Sequence, residues 1–90
     1  MTTIDTTAEL RIRVPENILG ALDRYVEHRI PPGSCTLAIL SNDLQGAYGR
    51  ADRYTAAAMH DIVVYIYNCL PSACWGSREK VQAWLKGGPS

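Results

Sequence analysis

Three short segments of this chain carry residue types that suit recognition of an anion. Gly33 and Ser34 follow two prolines where a helix is predicted to begin, and a helix start offers free amides and about half a positive charge. Arginine binds phosphate through two parallel hydrogen bonds, and aromatic rings stack on bases. We therefore predict a pocket for a nucleotide or another small anion. The residues expected to form it are Arg29, Gly33, Ser34, Tyr48, Arg50, Arg53, Tyr54 and Trp75.

Residues suited to catalysis or metal binding lack the spacing that such sites need. His60 and Asp61 are adjacent in a predicted helix, so their side chains diverge and cannot form a base with its orienting partner. The chain has no nucleophile elbow, no glycine-rich phosphate loop and no carboxylate cluster. Cys35, Cys69 and Cys74 lack the spacing of a zinc site, and their odd number indicates reduced thiols. We expect a non-enzymatic protein without a metal or a cofactor.

A strand is predicted at the N-terminal end of the domain. Residues 9–14 alternate polar and apolar side chains, which is the period of a half-buried strand with Leu10, Ile12 and Val14 on the buried face. A single strand cannot satisfy its own backbone hydrogen bonds, and the rest of the chain offers no second strand. We therefore expect this strand to pair with the same strand of a second copy.

Helical periodicity occupies the rest of the chain. Helices are predicted from Pro15 or Glu16 to the prolines near residue 31, from Ser34 onward, from Asp52 or Thr55 to Cys69, and after Ser77. The expected N-caps of the last three are Ser34, either Asp52 or Thr55, and Ser77. The predicted fold is mainly α, with one short intersubunit strand, about four helices and an intertwined homo-oligomer. Residues 1–8 are predicted to be a flexible arm, 9–86 a single domain and 87–90 a tail.

Charge and hydropathy narrow the class of protein. Nine basic and nine acidic residues give a net charge of zero, which argues against binding nucleic acid mainly by charge. The first residues are polar and lack the apolar core of a signal peptide. The sequence has no apolar run long enough to span a membrane. We expect an intracellular protein with no membrane partner.

The first half of the chain resembles ribbon-helix-helix DNA-binding proteins. The similar residues are Arg11-Ile12-Arg13-Val14-Pro15-Glu16, Ile18-Leu19, Leu22-Asp23 and Gly33-Ser34. The resemblance implies that Glu9, Arg11 and Arg13 of paired strands contact bases in the major groove, and that amides near Ser34 hold a phosphate. A DNA-binding transcriptional regulator is therefore an alternative function, and DNA is an expected partner only in that case.

A longer pattern resembles a group of small bacteriophage and prophage proteins. It comprises Pro31-Pro32-Gly33-Ser34, Asn42-Asp43-Leu44, Gly49-Arg50-Ala51-Asp52 and Cys74-Trp75-Gly76-Ser77. Cys35-Thr36 depart from the bulky apolar residues expected there. The resemblance implies a phage accessory protein in the cytoplasm of a bacterial host, and such proteins include anti-defence sponges for nucleotide signals. The leading hypothesis is an oligomeric binding protein that captures a nucleotide immune signal. A further alternative is an inhibitor that binds a host protein through an exposed apolar patch.

Overall fold

Seven α-helices and one 3₁₀ turn make up the described part of the chain. The structure is a computed structural model, and it describes residues 7–87. The helices are α1 (Thr7–Arg13), α2 (Glu16–His28), α3 (Ser34–Leu40), α4 (Leu44–Arg50), α5 (Arg53–Ala57), α6 (Met59–Cys69) and α7 (Arg78–Leu85), and the 3₁₀ turn is Ser72–Cys74. Most of the predicted arm lies outside residues 7–87, as does most of the predicted tail.

The predicted strand is wrong, because residues 9–13 lie in helix α1. Leu10 and Val14 are buried one helical turn apart, whereas Ile12 is 83% exposed on the opposite side. A strand would have buried all three side chains on one face. Helix α1 packs against α6 through this buried side. Since residues 7–87 contain no strand, the paired ribbon is wrong, whereas the homo-oligomer stays a prediction.

Helix α2 begins and ends where the sequence places it. Pro15 precedes it, and the buried residues Ile18, Leu22 and Tyr25 repeat at helical spacing. Arg29 ends the helix in a left-handed conformation with φ of 56°, and its amide donates a hydrogen bond to the Tyr25 carbonyl over 3.1 Å. The stretch that follows is extended up to Gly33, as the prolines at 31 and 32 require.

Each of the next two predicted helices is divided in two. The stretch after Ser34 breaks at residues 41–43, where Asn42 has φ of 65° and Asp43 caps α4 by accepting a 3.0 Å hydrogen bond from the Gly46 amide. The stretch after Asp52 breaks at Ala58, which separates α5 from α6. The expected number of about four helices is therefore too low.

Two hydrogen bonds of Tyr25, one buried and one partly buried, connect helix α2 to the C-terminal elements. Its hydroxyl donates to the Cys74 carbonyl over 2.7 Å, and its carbonyl accepts from Trp84 Nε1 over 2.9 Å. Tyr25 is fully buried, and burial raises the pKa of its hydroxyl well above the ordinary value. Helix α7 packs against both α3 and the 3₁₀ turn, so the end of the chain returns to the helix that begins at Ser34.

Candidate functional site

Two arginines face one cleft between α3, α4 and α7, which we name the Arg50–Arg78 cleft. Its volume is about 370 Å³. Its charged residues are Arg50, Arg78 and Asp43. The rest of the lining consists of Ser34, Ser41 and Gln82, which are polar and uncharged, and Leu37, Ala38, Val81 and Leu85, which are apolar. Such a mixture of an apolar wall with a few convergent polar groups is typical of small-molecule sites.

Local capping positions the two arginines. Arg50 ends α4, and its Nη1 donates a 3.2 Å hydrogen bond to the Gly46 carbonyl one turn earlier. A Cβ at Gly46 would lie only 2.7 Å from this Nη1 atom, so glycine leaves the guanidinium room to fold back along the helix. Ser77 caps α7 by accepting a 3.1 Å hydrogen bond from the Lys80 amide, which makes Arg78 the first helical residue.

The charges of the cleft favour an anion. Arg50 and Arg78 contribute two guanidinium groups, and Asp43 contributes the one carboxylate of the lining. The Asp43 Oδ1 atom already accepts the Gly46 amide as a helix cap. The lining has a net charge of +1 at neutral pH, and its guanidinium groups can donate paired hydrogen bonds to phosphate or carboxylate oxygens.

A second cleft of about 300 Å³ lies next to the first and shares Ser34 and Arg50 with it. It also contains Gly33, Asn17 and Asp52. The Asp52 carboxylate caps α5, and its hydrogen bond from the Thr55 amide lowers its pKa below the ordinary value. Because this carboxylate balances the charge of Arg50, the second cleft attracts an anion less strongly than the Arg50–Arg78 cleft.

The predicted pocket residues separate into several places. Gly33, Ser34 and Arg50 come together in the two clefts. Arg29 instead lies over the ring of Trp84, with 4.1 Å between its Cζ atom and the ring centroid. The remaining four line neither cleft; Tyr48, Arg53 and Tyr54 are exposed, and Trp75 lines a separate apolar groove. Ser34 was expected to cap α3, but it is the first helical residue after Gly33.

The residues predicted to contact DNA lie on helix α1 and not on a strand. Arg11 Nη2 lies 2.8 Å from Asp23 Oδ2, and Arg11 Nη1 donates a 2.8 Å hydrogen bond to the Tyr65 hydroxyl. Glu9 and Arg13 are exposed positions of the same helix, one turn apart, and Arg11 lies between them on a different face. The predicted arrangement of these side chains on paired strands is therefore wrong, whereas DNA binding itself stays a prediction.

Arg78 is the functional candidate that sequence reasoning missed. Its local signal was present, because Ser77 was correctly predicted to cap the last helix and Arg78 follows it directly. The packing of α7 on α3, which brings Arg78 to the same cleft as Arg50, has no local signal in the sequence.

Residues 7–87 contain neither a metal-binding cluster nor a membrane-spanning helix. This part of the chain holds no group of three or more histidine, cysteine or acidic side chains that could bind a metal ion. None of its helices has the length and apolarity needed to cross a membrane. The three cysteines are free thiols, and burial raises the pKa of Cys74 to about 11.

No family model, curated protein or solved structure matches this chain.

Proposed function

We propose that this chain is a non-enzymatic binding protein that takes an anionic small molecule into the Arg50–Arg78 cleft. The observation that carries the proposal is the convergence of two guanidinium groups on one cleft whose lining contains a single carboxylate. Ser34, Ser41 and Gln82 add uncharged hydrogen-bonding groups to the same wall. One subunit presents the whole cleft, so the proposal does not depend on a second copy.

The chemical class that fits best carries phosphate. Arginine binds phosphate oxygens bidentately, and two arginines in one cleft suit a ligand with one or two phosphate groups. The volume of about 370 Å³ is near the lower end of small-molecule sites, which suits a ligand no larger than a nucleotide. Tyr48, Tyr54 and Trp75 lie outside the cleft, so the phosphate rather than a stacked base would supply most of the affinity.

The nucleotide immune signal is the specific form of this proposal. It depends on the resemblance of the Pro31–Ser34 and Cys74–Ser77 segments to phage accessory proteins. The cleft supports the chemical part of that hypothesis, which is recognition of phosphate by a small protein without catalytic groups.

Calorimetric titration with pyrophosphate and with adenosine diphosphate tests the proposal. The titration is done at low ionic strength, because salt screens exposed charges. Each charge-assisted hydrogen bond contributes roughly 1.5–3 kcal/mol, so Arg50→Gln and Arg78→Gln should each weaken pyrophosphate binding by about tenfold or more. Similar affinities for the two ligands would support recognition by phosphate alone.

Arg53→Gln is the matched control, since Arg53 begins the next helix but does not line the cleft. It should leave pyrophosphate affinity unchanged within about twofold, as expected for a surface charge outside the site. If Arg53→Gln weakened binding as much as Arg50→Gln, the affinity would come from general surface charge and the site assignment would be wrong. Absence of binding of both ligands to the unmodified protein would refute the phosphate-binding function.

A further inference from the structure

An apolar groove lies beside the Arg50–Arg78 cleft and is distinct from it. Its volume is about 280 Å³. The lining residues come from α3, α4, α6, the break at residues 41–43 and the connection between the 3₁₀ turn and α7, and no charged residue is among them. They are Ile39, Asn42, Leu44, Val63, Ile66, Tyr67, Trp75 and Gly76. Nothing in the proposed anion-binding function uses this groove.

Large apolar side chains stand exposed at the rim of the groove. Tyr67 is 70% exposed, and Leu44 is also exposed. Each belongs to a pair one helical turn apart, Leu44 with Tyr48 on α4 and Val63 with Tyr67 on α6. Tyr48 extends the apolar surface beyond the groove itself. Contiguous exposed apolar surface with aromatic residues is typical of protein interaction sites.

The floor and wall of the groove are held in place before anything binds. The Trp75 indole donates a 3.1 Å hydrogen bond to the Leu70 carbonyl, and its ring packs on Tyr67 with 5.7 Å between centroids. The Gly76 amide donates a 2.7 Å hydrogen bond to the Leu40 carbonyl. Gly76 has φ of 115°, a conformation that favours glycine. A preformed groove loses little conformational entropy when a partner docks.

One end of the groove is basic. Lys80 Nζ lies within 3.7 Å of the position that a Cβ atom on Gly76 would occupy, so its ammonium group stands beside the Gly76 end. The groove lining contains no carboxylate that would neutralise it. An occupant with a negative charge at that end is therefore electrostatically complementary, whereas a positive charge there would be repelled.

We propose that this groove docks an amphipathic helical segment of a partner protein. Apolar side chains spaced three or four residues apart enter the groove, and an acidic residue of the segment faces Lys80. In this mode of recognition the apolar face of an amphipathic helix lies in an apolar groove of the receptor. A helical segment would also cover Tyr67 and Tyr48, which a small molecule inside the groove would leave in water.

The test uses a synthetic amphipathic helix of about 15 residues, the length at which isolated helices begin to form. It carries leucines on one face and glutamates at one edge. Titration into ¹⁵N-labelled protein should shift the signals of the Gly76 amide and the Trp75 indole more than those of other residues. Tyr67→Ser should weaken binding by about tenfold, since it truncates a large aromatic side chain that the docked helix would cover.

Tyr54→Ser is the matched control, because Tyr54 is 80% exposed but does not line the groove. It should leave the affinity unchanged. Lys80→Glu should weaken binding of the acidic peptide by about fivefold and strengthen binding of a peptide with lysines in place of the glutamates. A fold check of each variant by circular dichroism accompanies the titrations.

Two outcomes would overturn the proposal. In the first, the peptide shifts no groove signals, or Lys80→Glu fails to reverse the preference between the two peptides. In the second, 1-anilinonaphthalene-8-sulfonate shifts the groove signals while the peptide does not, which would make the groove a small-molecule site. The Arg50→Gln variant should bind the peptide normally, so this test and the pyrophosphate test can fail independently.

Discussion

The ion pair between Arg11 and Asp23 offers the sharpest test of the N-terminal helix. Arg11 Nη1 and Nη2 lie 3.1 and 2.8 Å from the two Asp23 carboxylate oxygens, so the pair is bidentate. Both side chains are 37% exposed. The proposed perturbation is a double-mutant cycle with Arg11→Met and Asp23→Asn, in which methionine keeps the aliphatic stem of the arginine.

The magnitude follows from geometry and exposure. Exposed ion pairs contribute roughly 0.2–1 kcal/mol, and bidentate geometry places this pair near the top of that range, so the coupling energy should be about 1 kcal/mol. Arg11→Met also removes the hydrogen bond to the buried Tyr65 hydroxyl, which adds about 1 kcal/mol to the cost of that single variant. Its total loss of about 2 kcal/mol would lower Tm by roughly 8–16 °C in a domain of this size.

Urea unfolding of the four proteins at pH 7 and in acid measures the cycle. The Arg11 hydrogen bond lowers the folded-state pKa of Asp23 below its ordinary value. The pair therefore stabilises the fold fully above the unfolded-state pKa near 3.9, and this stabilisation is lost as the pH falls through the lower folded-state pKa. A coupling energy below about 0.3 kcal/mol at pH 7 would lie within the additivity error of independent sites and would refute the predicted strength of the pair.

Two further substitutions test the core and the cleft. Tyr25→Phe should destabilise the fold by about 1–2 kcal/mol in urea unfolding, because the buried Cys74 carbonyl loses its donor. The control Tyr54→Phe should leave the free energy of unfolding unchanged. Equal effects of the two substitutions would contradict the buried hydrogen bond. Asp43→Asn should tighten pyrophosphate binding by roughly threefold, because it removes the one carboxylate of the Arg50–Arg78 cleft, while asparagine still caps α4 and keeps stability within about 0.5 kcal/mol. Weaker pyrophosphate binding in Asp43→Asn with normal stability would contradict an anion at this position.

Local signals in the sequence predicted those parts of the fold that short-range physics controls. The N-terminus of α2 follows from Pro15, and the caps at Asp52 and Ser77 are formed by the side chains that the sequence indicated. Each of these features depends on residues within one helical turn. The breaks at residues 41–43 and at Ala58 were missed, because the apolar periodicity continues across both of them.

The N-terminal helix was mistaken for a strand because six residues fit both periods. Leu10 and Val14 are separated by four positions, which suits one helix face as well as one strand face. The distinguishing residue is Ile12, and its exposure depends on packing against α6, about fifty residues away in sequence. The partners of Arg11 are equally remote, since Tyr65 lies 54 positions later. Tertiary contacts therefore decided a question that the local pattern left open.

The sequence identified only some residues of the candidate site, because the others are brought there by contacts between distant parts of the chain. Ser34 and Arg50 belong to helices that follow each other directly, and α3 and α4 pack together. Arg78 lies in the same cleft only because α7 packs against α3. Trp75 lies outside the cleft because its ring packs on Tyr67. Residue types suggested an anion as the ligand, which stays a proposal, and the pairing of Arg50 with Arg78 depends on the packing of the last helix.

The Arg50–Arg78 cleft and the apolar groove are lined by neighbouring residues of the same chain segments. Only variants outside those segments can therefore test binding at one site without disturbing the other. Ser41 and Asp43 line the Arg50–Arg78 cleft, whereas Asn42 between them lines the apolar groove. Gly76 of the groove and Arg78 of the cleft are likewise only two residues apart. A substitution in either segment can therefore disturb both sites through the backbone. Variants at position 50 on α4 and position 67 on α6 lie outside both segments, so loss of one ligand with retention of the other in these variants would assign each ligand to its own site.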